Sequence, residues 1–172
     1  AASTDLNEAD VLSILPVLAK HGTQALAAQL LQALERRGLA SPNALFQLSI
    51  IYGQEGRLTE ARETLLRAAE PNPDNVPVLM GLARVAEKQK DFEGALGYLA
   101  HARALEPQRA AIHFFFGVVC SEMNLIEEAY RSLRQAVALN PENPYYNYAL
   151  GVAAEQKGQH REAVTYFQKY CE

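Results

Sequence analysis

Side chains able to do covalent, acid–base or metal chemistry are sparse in this chain of 172 residues. The four histidines, His21, His101, His113 and His160, are scattered and fall at no shared position of the pattern described below. Cys120 and Cys171 stand 51 positions apart, with no CxxC and no histidine at ligand spacing, so they make neither a disulfide framework nor a zinc site. Adjacent carboxylates such as Glu127 and Glu128 could in principle share acid–base work. They lie at the start of a predicted helix, where the helix dipole favours acids without any catalysis. A glycine-rich phosphate loop, a GxSxG elbow and an HExxH helix are all missing from the sequence. The chain therefore reads as a non-enzyme with no catalytic residues, no metal ligands, no cofactor and no small-molecule substrate. The chemistry left to it is recognition.

Composition narrows the partner. Lys plus Arg number 16 and Asp plus Glu 20, a net charge of −4 with no basic block, which argues against nucleic acid. Hydrophobic residues at 49% and charged residues at 21% are ordinary for a globular chain with a real core. The most apolar stretch, 110–120, is interrupted by His113 and too short to insert in a bilayer. Two thiols favour a cytoplasmic over a periplasmic setting without deciding it. The start Ala1-Ala2-Ser3-Thr4 reads as processed or excised, which puts any targeting signal out of view.

What must position any recognition surface is a period of 34. Pro73, Pro107 and Pro141 keep that spacing, as do Ala61, Ala95, Ala129 and Ala163, and Leu65, Leu99, Leu133 and Phe167. Each period holds two amphipathic segments joined by a short turn. The expected helices cover 8–20, 23–37, 42–55, 59–70, 76–89, 92–105, 110–123, 126–139, 144–157 and 160–171, and no stretch reads as strand. Ser49, Ala61 and Ala68 are small where the two helices of a unit must approach closely. Ser41-Pro42 and Asn143-Pro144 read as a cap followed by proline in the first helical turn. Pro73, Pro107 and Pro141 are expected to stop the second helices. Gly56 and Gly158 suit a left-handed helix end and Asn124 suits it with more strain. Gly22 holds the matching place in a weaker copy, while Lys90 breaks the rule.

These columns resemble the tetratricopeptide repeat family, whose signature is matched by Leu45, Leu48, Ser49, Tyr52, Ala61, Leu65, Ala68 and Pro73. The resemblance covers nearly the whole chain. It divides the sequence into a tail, 1–7, and one domain, 8–172, with a degenerate repeat at 8–41 and clear repeats at 42–75, 76–109, 110–143 and 144–172. It implies an all-α, right-handed superhelical solenoid of antiparallel helix hairpins, with first helices lining the inside.

In that family, partner segments commonly lie in the concave face, on fixed positions of the first helices. Carried onto this chain, those positions hold Leu12, Phe46, Met80, Phe114 and Tyr148, then Ile50, Arg84, Val118 and Val152, with Tyr145 and Lys88 beside them. The Lys, Asn and Arg clamp of chaperone-binding members is replaced here by Phe46, Gln47, Ile50, Gly81, Ala111 and Phe115. The Asn ladder of glycosyltransferase-type arrays is missing too, at Gln47, Gly81, Phe115 and Ala149. What the resemblance implies is a non-catalytic protein–protein interaction module. Its concave groove would take an apolar peptide or an amphipathic helix. An aromatic stripe at helical spacing also serves as core, so neighbouring helices could swallow part of Phe46 and Phe114. The alternative is a homo-oligomerising scaffold, assembling through its ends or its concave face. Its motives are the Tyr145-Tyr146-Asn147-Tyr148 cluster and a last helix in which Tyr170 replaces a small residue. That C-terminal end is expected either to continue in the natural protein or to dock.

Overall fold

The computed structural model describes residues 7–20 and 23–171; most of the expected tail, His21 and Gly22 lie outside the described residues. Ten helices and no strand are found among the described residues: α1 (Glu8–Lys20), α2 (Gln24–Arg36), α3 (Pro42–Gln54), α4 (Leu58–Ala69), α5 (Val76–Lys88), α6 (Phe92–Leu105), α7 (Ala110–Glu122), α8 (Ile126–Leu139), α9 (Pro144–Gln156) and α10 (His160–Cys171). Every expected helix is present, each end within one residue of its expected place. The helices fall into two compact units, Ala1–Gln89 with α1 to α5 and Lys90–Glu172 with α6 to α10. Hairpins α1–α2 and α3–α4 build the first unit, and α7–α8 and α9–α10 the second.

Local chemistry explains the helix ends. Ser41 Oγ accepts from the Ala44 N–H at 3.3 Å, and Asn143 Oδ1 accepts from the N–H groups of Tyr145 and Tyr146 at 3.0 and 3.3 Å. Asn75 and Asp91, which the sequence reading passed over, cap α5 and α6 through the N–H groups of Val78 (3.2 Å) and Gly94 (3.0 Å). Helices α6 and α8 end two residues before Pro107 and Pro141. Helix α4 ends at Ala69, where Pro71 lies nearer than Pro73. Pro16 does not break α1, which runs through it.

Lys90 corrects the expectation for the first-helix turn. Its φ is +62°, beside +76° at Gly56, +58° at Asn124 and +80° at Gly158, so it takes the same left-handed turn as its counterparts. A Lys adopts this conformation against the clash of its Cβ with the backbone.

The core runs along the hairpin seams. Ser49, Ala61 and Ala68 are buried, as are Leu48, Leu65, Leu99, Leu133 and Leu150. Helices approach closely at Gly117 on α7, where a Cβ would stand 2.6 Å from Leu133 Cγ and 3.1 Å from the Ala129 carbonyl oxygen on α8. Gly151 on α9 is the same place one period later, and there a Cβ would meet the Phe167 ring at 2.6 Å. Two buried polar residues hold the loops of the second unit. His113 Nε2–H donates to the Pro107 carbonyl at 2.7 Å, and Asn147 Nδ2 donates to the Pro141 and Asn143 carbonyls at 2.8 and 3.1 Å. Both sit at the place where the repeat pattern expects a large apolar residue.

Gly97 on α6, by contrast, faces open space. Two glycine-to-alanine changes should then have opposite signs. Gly97→Ala raises stability by about 0.5–1 kcal/mol through helix propensity. Gly117→Ala lowers it, because overpacking costs about 1–3 kcal/mol and outweighs that gain. Chemical denaturation of the two variants beside the parent checks the pair. Lys90→Gly, measured the same way, should stabilise by about 1 kcal/mol by relieving the left-handed strain.

Candidate functional site

In the first unit the expected contact residues lie on α1, α3 and α5. Leu12 of α1 and Ile50 of α3 meet in an open cleft of about 320 Å³ between α1, α2 and α3. Its walls alternate in character: Leu12, Leu15, Pro16 and Ile50 are apolar, while Gln24, Asn43, Gln47 and Gln54 bring amides, and no lining residue is charged. Phe46 and Met80 are half-buried, and Phe46 packs near Gly81, whose added Cβ would come within 3.4 Å of its ring. Arg84 and Lys88 are exposed on α5. Lys88 Nζ donates to the Gly53 carbonyl at 3.2 Å, so this lysine also serves the negative end of the α3 dipole. Met80, Arg84 and Lys88 do not line the cleft that holds Leu12 and Ile50.

In the second unit Phe114 is drawn towards the core. Its ring stacks on Tyr146 with centroids 4.8 Å apart and meets Phe115 edge-on at 5.3 Å. Both Phe114 and Tyr146 pack against the buried cluster of Tyr130, Leu133 and Leu150. Burial pushes the Tyr146 hydroxyl above the usual tyrosine range. Val118 and Val152 are half-buried. Tyr145 and Tyr148 remain open, 68% and 49% exposed, and Tyr148 leans on Phe167 and Tyr170 of α10 with centroids 5.9 and 5.2 Å away. Tyr148, Phe167 and Tyr170 form an aromatic edge across the α9–α10 hairpin. The α10 half of that edge was outside the expected contact set, because the pattern assigned contacts to first helices alone.

A polar seam braces the same unit. Tyr130 donates to Glu162 Oε2 at 2.7 Å, Lys157 pairs with Glu127 at 2.7 Å, and Lys157 Nζ lies 4.6 Å from the centre of the Tyr130 ring. Burial first, then the bond to Glu162, raises the Tyr130 hydroxyl well above its ordinary range. In the first unit Arg67 pairs with Glu35 to bridge α4 and α2. These contacts tie helix to helix, and none of them points into the cleft.

The described residues contain no group of three His, Cys, Asp or Glu placed to hold a metal ion. No helix among them is long and apolar enough to cross a membrane. Cys120 is buried and Cys171 exposed, both as free thiols.

Two family models described as tetratricopeptide repeat match the chain, one at residues 54–113 and the other at 17–77 and 122–172. Anaphase-promoting complex subunit 3 of Schizosaccharomyces pombe is 26% identical over 125 residues. That match takes in 73% of this chain but only 19% of the relative, so the chain spans about a fifth of that protein's length. Among solved structures, MamA 41-end from Desulfovibrio magneticus RS-1 matches with a TM-score of 0.80 at 22% identity, covering 94% of this chain and 91% of that one. A MamA AMB-1 structure matches with a TM-score of 0.69 at 26% identity, covering 90% and 84%.

The two thiols give a direct check on the packing. Burial, then the charge of Glu128, push the Cys120 thiol up to about 11. The reactive thiolate is therefore scarce at Cys120 near neutral pH, and a maleimide at pH 7 should label Cys171 alone until denaturant is added. Stability should also fall as pH rises from about 9 to about 11. In that window the unfolded chain ionises Cys120 while the folded chain still holds the proton. Mass-resolved labelling, and denaturation across that pH range in Cys120→Ala beside the parent, measure both.

Proposed function

We infer the function from one premise: the chain belongs to the tetratricopeptide repeat family. Membership supports a protein–protein interaction module acting as a non-catalytic scaffold. The repeat frame carried by the resemblance, with hairpins at 8–41, 42–75, 76–109, 110–143 and 144–172 in one domain, is part of this reading.

The finer reading is that the module binds an apolar peptide or amphipathic helix along its first helices. The observation that carries it is the uncharged cleft between α1, α2 and α3, where apolar walls from Leu12 and Ile50 face the amides of Gln24, Asn43, Gln47 and Gln54. Amide side chains can donate to and accept from a bound backbone, while the apolar wall takes its side chains. Tyr145, Tyr148, Val118 and Val152 offer a second apolar strip on α7 and α9, rich in the residue type that most often anchors a partner. Phe46, Met80 and Phe114 support these surfaces as half-buried ballast, and Arg84 and Lys88 set orientation and partner choice more than affinity. Because the helices are held by their own packing, the module contributes little ordering entropy to the cost of binding.

Panning a proteome-derived peptide display library on the parent should enrich a shared apolar motif. Ile50→Glu, at a site exposed enough to leave the fold intact, should weaken the selected peptides about tenfold or more. Tyr148→Ala should weaken any that use the second strip. Equal enrichment by the parent and both variants would remove the first-helix surfaces from consideration.

A further inference from the structure

Helix α1 runs through Pro16, and this leaves a mark on one wall of the cleft between α1, α2 and α3. In a helix each N–H donates to the carbonyl four residues earlier, and proline has no N–H to give. The Leu12 carbonyl is therefore without its helical donor. Leu12 and Pro16 both line the cleft, one turn apart on the same face, so this bare acceptor lies in its wall. One period later Ile50 holds the place of Pro16 and brings the ordinary N–H.

The facing wall sets polar groups in a row. Asn43, Gln47, Ile50 and Gln54 stand at i, i+4, i+7 and i+11 of α3 and make one stripe along the cleft. Gln24 of α2 adds a further amide, and none of these amides is hydrogen-bonded to a described residue. At the helical rise the stripe is about 16 Å long, the reach of about five extended residues. A bound helix keeps its own N–H and carbonyl groups paired internally, so its apolar face would cover the amides without answering them. An extended segment carries one unpaired N–H and one unpaired carbonyl per residue, which amides and a bare carbonyl can satisfy. No residue of the cleft is charged, so a charged side chain entering it would lose its water and gain no counter-ion.

We propose that this cleft takes an extended, uncharged peptide segment and holds it by its main chain. The Leu12 carbonyl accepts a peptide N–H on one side, and the amides of Gln47 and Gln54 answer N–H and carbonyl groups on the other. Leu15 and Ile50 receive the apolar side chains that an extended segment turns to alternate faces. The proposal rests on the reading of the cleft given above and selects the extended occupant over the helical one.

The probes are seven-residue peptides enriched from the display library on the parent and lost on Ile50→Glu, synthesised with acetyl and amide ends. Methylating their backbone nitrogens one at a time should weaken binding about tenfold at alternate residues, since an extended segment turns every second N–H to one wall. Gln47→Leu keeps a side chain of similar size and adds apolar surface, yet should weaken the same peptides about threefold or more. Pro16→Ala gives the Leu12 carbonyl a helical donor again. It should raise the melting temperature and weaken the peptides about threefold or more, opposite signs that a merely structural proline does not produce. Helical content by circular dichroism confirms that each variant folds. Peptides that tolerate every methylation and bind Gln47→Leu as tightly as the parent overturn main-chain recognition while leaving the cleft as a binding surface. So does enrichment of charged or helix-forming peptides at the cleft. Enrichment that Ile50→Glu does not abolish, or a library that enriches nothing, overturns the cleft reading together with this proposal.

Discussion

Two helices joined by a tight turn can pack along their full length only if one of them presents almost no side chain at the crossing. In this protein the limit is reached between α7 and α8, where Gly117 lies against Leu133 and the Ala129 backbone with no room for a further carbon. Gly151 meets the same limit against Phe167, while Ser49 and Ala61 meet it in the first unit with slightly larger groups. Everything else follows from that approach. The turns after α3, α7 and α9 each place a left-handed residue, Gly56, Asn124 and Gly158. Large apolar side chains then interleave on either side of the crossing, and Leu48, Leu65, Leu133 and Leu150 disappear from solvent.

The polar contacts are secondary but not idle. His113 and Asn147 are buried where a leucine would suffice for packing, and each uses its donor on a proline carbonyl in the preceding loop. The donors themselves are buried, and leaving either without an acceptor would forfeit about 1–3 kcal/mol. The Tyr130–Glu162 bond and the Lys157–Glu127 pair run from α8 to the following hairpin and fix how successive hairpins of the second unit meet. An exposed pair such as Lys157–Glu127 adds little energy by itself, so its part is in orientation.

A fold held by crossings of this kind leaves its first helices with side chains that no seam consumes. Some are pulled inward: Phe114 finds Tyr146 and joins the core, leaving only part of its ring for a partner. Others stay open, as Ile50, Tyr145 and Tyr148 do, and a surface of this kind on a rigid scaffold is suited to recognition. The expected contact residues therefore divide by burial into open ones, such as Tyr145 and Tyr148, and half-buried ones, such as Phe46 and Phe114.

The period of 34 was legible in the sequence because every unit solves the same packing problem and so repeats the same residue sizes at the same places. Helix number, helix ends and the small residues at the crossings all follow from that arithmetic. The caps at Asn75 and Asp91 were equally readable in principle, since each precedes a helix by one residue. The sequence could not tell which apolar residues of a first helix remain available. Phe114 and Tyr148 occupy equivalent places one period apart, yet one stacks inward on Tyr146 while the other leans outward on Tyr170. Nor could it assign the cleft at Leu12 and Ile50, the double duty of Lys88, or the polar ties of His113 and Asn147. Those depend on what the next helix brings to within a few ångströms. A repeat pattern records the average environment of a column, whereas a side chain responds to its own neighbours, and only the packed structure supplies them.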